Sequence, residues 1–142
     1  TIVGKRLSLP MQNHTLMTED DIKELRRDPD GLHTYEYLAN HIGECEPSDI
    51  ELLIDNMERV DLSGQFMASA ARYLNAIDSE GYSPAIRRLV AATIDKDREH
   101  RYLPDLLQGL YGTDYKEHAT ELCASDDNFR RIYKRLFPSS TI

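Results

Sequence analysis

Pro47-Ser-Asp-Ile-Glu-Leu-Leu-Ile-Asp-Asn-Met-Glu-Arg-Val-Asp-Leu-Ser-Gly64 is the stretch on which the fold class turns. Proline suits a first helical turn, where its missing N–H costs nothing. Ser48 and Glu51, three apart, have the spacing of a capping box that satisfies free amides at a helix start. Ile50, Leu53, Ile54, Met57 and Val60 then recur at three and four residues, which places them on one face of a helix. Asp61-Leu-Ser-Gly64 reads as a turn, with glycine able to take backbone angles that other residues avoid.

The same grammar extends in both directions. Upstream, Thr18 precedes Glu19-Asp20-Asp21, carboxylates suited to the positive end of a helix dipole. Ile22 and Leu25 follow, and Asp28-Pro-Asp-Gly31 breaks the chain before a helix bearing Tyr35, Leu38, Ala39 and Ile42. Downstream, the expected buried faces are Phe66, Ala70, Tyr73, Leu74 and Ile77, and then, after a start at Ser83-Pro84, Ile86, Leu89, Val90 and Thr93. Leu103, Leu106, Leu107 and Leu110 define a sixth helix. Thr113-Asp114 opens a seventh with Tyr115, His118, Ala119 and Leu122, and Asp126-Asp127 an eighth with Phe129, Ile132, Tyr133 and Leu136. Pro138 ends it. No segment keeps a period of two, so the class is all-α; only residues 2–9 suit a short strand or an ordered arm.

The start signals at Thr18, Ser48, Ser83 and Thr113 lie thirty to thirty-five residues apart, with two helices per interval. Such spacing belongs to helical hairpins that bury their apolar faces only by stacking. About eight helices in stacked antiparallel hairpins are expected. The residue identities do not repeat, so a degenerate HEAT-like solenoid and an irregular helical bundle both satisfy the pattern. The expected division is an arm over 1–17, one helical domain over 18–137 and a tail over 138–142.

Composition narrows the function. A chain of 142 residues suits one domain, with roughly 70% of its unfolded surface buried. Apolar residues at 40% and charged residues at 30% describe a globular chain, and no apolar run nears the roughly 18 residues of a membrane span. Thr1-Ile-Val-Gly-Lys-Arg-Leu-Ser-Leu9 is too short and mixed for a signal peptide, and Cys45 and Cys123 read as unpaired thiols, so the expected location is cytoplasmic. The net charge of −8 disfavours direct contact with nucleic acid and favours a basic partner.

Catalytic and metal patterns fail one by one. Asp95-Lys-Asp97-Arg-Glu99-His100 alternates oxygen ligands as calcium loops do, but position six holds His100 instead of glycine and position twelve Leu106 instead of glutamate. His14, His33, His41, His100 and His118 form no zinc spacing, and His118 is expected as a hydrogen-bonded core residue. Ser63-Gly64 lacks the preceding glycine of a nucleophile elbow. No cofactor, no metal and no catalytic residue is expected.

Two charged faces remain. Glu51, Asp55 and Glu58 form an acidic stripe opposite the apolar face of their helix, with Arg59 as the only nearby relief in sequence; these three are the candidate binding residues for a basic protein. Arg130, Arg131, Lys134 and Arg135 make a basic face near a helix C-terminus, where the dipole favours cations. In its size, acidity, degenerate hairpins and lack of catalytic motif, the span 18–137 resembles the small all-helical immunity proteins of bacterial toxin systems. Those neutralise a cognate toxin, often a nuclease, by covering its active site. The resemblance implies a protein-binding inhibitor without enzymatic activity, and no motif carries its functional residues onto this chain. A helical-repeat scaffold that holds a peptide or protein is the alternative. An enzyme with a carboxylate or histidine site inside the bundle is the second alternative.

Overall fold

A computed structural model describes residues 17–140. Of the arm expected over 1–17 only Met17 falls within that span, and it is buried in the core; the strand considered for 2–9 and the final two residues lie outside the described residues. Eight α-helices occur among the described residues: α1 (Glu19–Arg26), α2 (Leu32–His41), α3 (Pro47–Val60), α4 (Gln65–Asp78), α5 (Ser83–Lys96), α6 (Leu103–Tyr111), α7 (Ala119–Ser125) and α8 (Asp127–Leu136). Short 3-10 turns follow α2 and precede α7, and no strand is present among the described residues.

The helices pair as hairpins and the hairpins stack in two layers. α1, α3 and α5 lie side by side in one layer, α2, α4, α6 and α8 in the other. Between them Leu38, Leu53, Leu74, Leu89 and Leu107 are fully buried, as the apolar spacing predicts. The last hairpin departs from the pattern: α8 packs on both α5 and α6, while α7 leans chiefly on α8. The stack is therefore solenoid-like through three hairpins and closed by the fourth, with Phe129 and Ile132 sealing the end.

A buried aspartate organises the turn inside each of the first three hairpins. Asp28 Oδ1 accepts from the amides of Asp30 and Gly31, and its Oδ2 from the amide and hydroxyl of Thr34 at 2.8 and 2.7 Å. Asp61 accepts from the amides of Gly64, Phe66 and Met67 at 2.8–2.9 Å. Asp97 accepts from those of Arg101, Tyr102 and Leu103 at 2.7–2.9 Å. Each carboxylate thus satisfies amides at the start of the second helix, which would otherwise be left without acceptors in the interior. At Asp28, burial raises the carboxyl pKa, but the hydrogen bonds from Thr34, Gly31 and Asp30 together outweigh it and hold the group below its ordinary value.

Three residues after each aspartate the backbone turns left-handed: Gly31 at φ 106°, Gly64 at 86° and His100 at 57°. The turns also stack. A methyl on Gly31 would stand 2.9 Å from Cβ of Asp61, and one on Gly64 would stand 3.3 Å from Cγ2 of Thr93, so each glycine admits the next hairpin against its backbone. Asp-x-x-Gly at 28–31 and 61–64, with Asp-x-x-His at 97–100, is the repeated element of this chain, and it lies within hairpins rather than at their starts.

Several local expectations change. The box at the start of α3 is formed by Glu46 and Asp49, not Ser48 and Glu51, because the helix begins two residues earlier than a Ser48 cap would set it, at Pro47. Ile77 is 47% exposed; the inward face of α4 runs through Met67, Ala70, Ala71 and Leu74. His118 is exposed and faces Asp114 at 3.3 Å, because a 3-10 turn at 115–118 shifts its phase off the apolar stripe. Asp97, once a candidate calcium ligand, is fully committed to backbone amides. Cys45 and Cys123 are unpaired and half-buried.

Candidate functional site

The inward set Ile50, Leu53, Ile54, Met57 and Val60 points the opposite side of α3 outward, so Glu51, Leu52 and Asp55 form an exposed ridge. The three carboxylates proposed from sequence do not behave alike. Arg88, reaching across from α5, bonds Glu58 through Nη2 at 2.9 Å and Nε at 3.3 Å and also pairs with Asp55. Lys96, from the same helix, donates to the backbone carbonyl of Glu58. The hydrogen bonds that Arg88 donates to Glu58 and then to Asp55 raise its pKa further. Arg59, the relief expected from sequence, instead contacts the side chain of its neighbour Asn56. Among the described residues Glu51 has no hydrogen-bonding or ionic partner.

Two concave surfaces flank the ridge. Between α3 and α5 a cleft of about 430 Å³ has an apolar floor that includes Ile50, Ile54, Tyr82 and Ala85, with Glu51 and Arg88 at its edge. Cys45 also lines it; burial, then the carboxylates of Asp49 and Glu44, push its thiol up to about 11, so it is a protonated, unreactive wall at neutral pH. Between α1 and α3 a second cleft of about 270 Å³ is lined by Met17, Ile22, Leu25 and Leu52, with Asp55 and Arg59 at the side. Leu52 is 41% exposed. Its phase, off the Ile50–Leu53–Ile54 stripe, was visible in the sequence as an apolar residue on the polar face; Arg88 and the clefts left no such signal.

Charge is distributed unevenly along the stack. Residues 17–80 hold sixteen carboxylates against five Lys and Arg, whereas residues 81–140 hold nine against ten. The α3 ridge therefore sits in the strongly acidic half. The basic face of α8 is present but internally paired in part, Arg130 with Asp127 and Arg131 with Asp95 at 3.1 Å. No three His, Cys, Asp or Glu side chains among the described residues are grouped to hold a metal ion. Among the described residues no helix is long and apolar enough to cross a membrane.

The fold and this surface define an all-helical, two-layer stack of hairpins with an acidic, apolar-flanked ridge on one layer. Comparison with protein-family models, with characterised proteins and with solved structures finds no match for the chain.

Proposed function

We propose that this chain is a protein-binding module whose α3 ridge occupies a basic partner, acting as an immunity-type inhibitor that covers the active site of a toxin such as a nuclease. The observation that carries the reading is Glu51: a carboxylate without a hydrogen-bonding or ionic partner among the described residues, at the lip of an apolar cleft and in the acidic half of the stack. A lysine or arginine of the partner would meet Glu51 while a neighbouring apolar side chain enters the cleft. Burying a few apolar anchors supplies affinity, and complementary charge supplies speed and selectivity of encounter. Asp55 and Glu58 contribute field more than contact, since Arg88 already holds them.

The test uses a partner that copurifies with the chain from its native cells. Surface plasmon resonance then compares three variants: Glu51→Lys, the triple reversal of Glu51, Asp55 and Glu58, and a control reversing Arg130, Arg131 and Lys134. Binding should fall by about tenfold or more for Glu51→Lys and further for the triple, with the α8 control unaffected. Loss confined to the α8 control rejects the ridge. The scaffold alternative draws on the paired clefts, which would suit an extended segment laid across α3; it expects Leu52→Asp to weaken binding as much as Glu51→Lys does.

A further inference from the structure

The third turn departs from its two sisters in a way that its folding role does not require. Where they place glycine at the left-handed position, this one places a histidine at φ 57°, a conformation that carries a steric cost for any side chain with a Cβ. The His100 side chain lines a cleft of about 410 Å³ between the end of α5 and the end of α8, together with Arg98, Arg135, Asp95 and the buried Ile94. Asp95 is engaged by Arg131 at 3.1 Å. Among the described residues the side chains of Arg98 and His100 have no hydrogen-bonding or ionic partner, and Arg135 makes only a 3.4 Å bond to the carbonyl of Arg131. The dipole of α8 accounts for a cation at Arg135. It does not account for Arg98 and His100, which lie in the loop beyond α5.

We infer that this cleft is an oxyanion site for a phosphate group carried on a small molecule. Two guanidinium forks from separate elements and an imidazole donor suit a tetrahedral group with three outer oxygens; a planar carboxylate is satisfied by a single fork. The site is separate from the α3 ridge and stands or falls independently of the proposed protein partner.

The test is an NMR titration of the full chain with inorganic phosphate and with pyrophosphate, ionic strength being balanced with sodium chloride, and with succinate as the carboxylate arm. Saturable shifts confined to residues 98–101 and the Nε–H of Arg98 and Arg135 are expected with both phosphates. The double variant Arg98→Gln/Arg135→Gln should weaken binding about tenfold or more. His100→Gly, which removes the backbone cost and so keeps the fold, should weaken it about threefold. Shifts that do not saturate, or equal binding by the double variant, overturn the site. Succinate binding as tightly as phosphate overturns the assignment to phosphate, and unchanged affinity in His100→Gly overturns the role given to the histidine.

Discussion

The turn at 61–64 and the turn at 97–103 do the same structural work with different means. In the first, Asp61 reaches over Leu62-Ser63-Gly64 and binds amides of Gly64, Phe66 and Met67, so α4 begins directly after the glycine. In the second, two more residues intervene before α6, a histidine replaces the glycine, and Asp97 still finds three amides. The carboxylate is therefore the constant and the glycine is the adjustable part. A buried anion is stable in these turns because several N–H dipoles from a helix start converge on it, which offsets the loss of water. The fourth hairpin retains only a remnant: Asp126 caps α8 through the amide of Phe129 at 3.0 Å and accepts from the Tyr111 hydroxyl at 2.8 Å, with no left-handed residue at all. Burial, and then Asp126, raise the pKa of that hydroxyl well above its ordinary value, so Tyr111 stays a neutral donor.

The heaviest way to break this pattern is to remove a carboxylate. Asp61→Ala leaves the amides of Gly64, Phe66 and Met67 without acceptors and should cost about 3–4 kcal/mol in urea unfolding. Asp97→Ala should come close to it, and a loss under about 1 kcal/mol for either would show that water replaces the carboxylate.

A smaller effect separates the stacking role of the glycine from its backbone role. Gly31→Ala meets both the positive φ and the 2.9 Å approach to Asp61. It should destabilise by about 2 kcal/mol, roughly half of it from φ alone. The same change at the exposed Gly43, where nothing stands within 4 Å of an added Cβ, serves as the control and should leave stability almost unchanged.

Acid distinguishes the first turn by its charge. Asp28 has its folded pKa below the unfolded value, so its contribution is complete above the ordinary carboxylate range and disappears as pH falls through the lowered value. Between pH 5 and pH 2 the wild-type chain should lose more stability than Asp28→Asn does, as read from paired denaturation curves. Parallel curves for the two proteins would remove Asp28 from the acid response.

The smallest change sharpens the comparison from the other side. His100→Gly gives the third turn the residue its sisters use and should stabilise the chain by about 0.5 kcal/mol, the relieved strain being partly offset by the greater freedom of glycine when unfolded. A destabilised His100→Gly variant would mean that the imidazole is a structural support.

Apolar periodicity made the eight helices and most of their buried faces legible, because a side chain at three- or four-residue spacing has one neighbourly face whatever its surroundings. Leu53, Leu74, Leu89 and Leu107 were readable for that reason. Boundaries were less so. The true cap of α3 lies at Glu46, since a glutamate and an aspartate can form the same reciprocal pair as the serine and glutamate that the sequence advertised. His118 fell out of phase where a 3-10 turn changed the periodicity on which its assignment depended, and Ile77, in the last turn of α4, is 47% exposed.

Sequence by itself determined the all-helical class, the hairpin spacing, the acidity and the existence of an outward carboxylate stripe on α3. These follow from composition and from periods of a few residues, which are local properties. Only the tertiary structure decided that Asp55 and Glu58 share Arg88, thirty or more residues away, while Glu51 has no partner among the described residues and stands beside a cleft. It alone decided that Asp28, Asp61 and Asp97 are interior residues holding the hairpins shut. For the ion pairs the reason is that their state depends on which groups thirty or more residues away the fold brings into reach, a meeting that leaves no local mark. The aspartates bond amides only two to six residues away, and what the tertiary structure added is the packing that buries those turns.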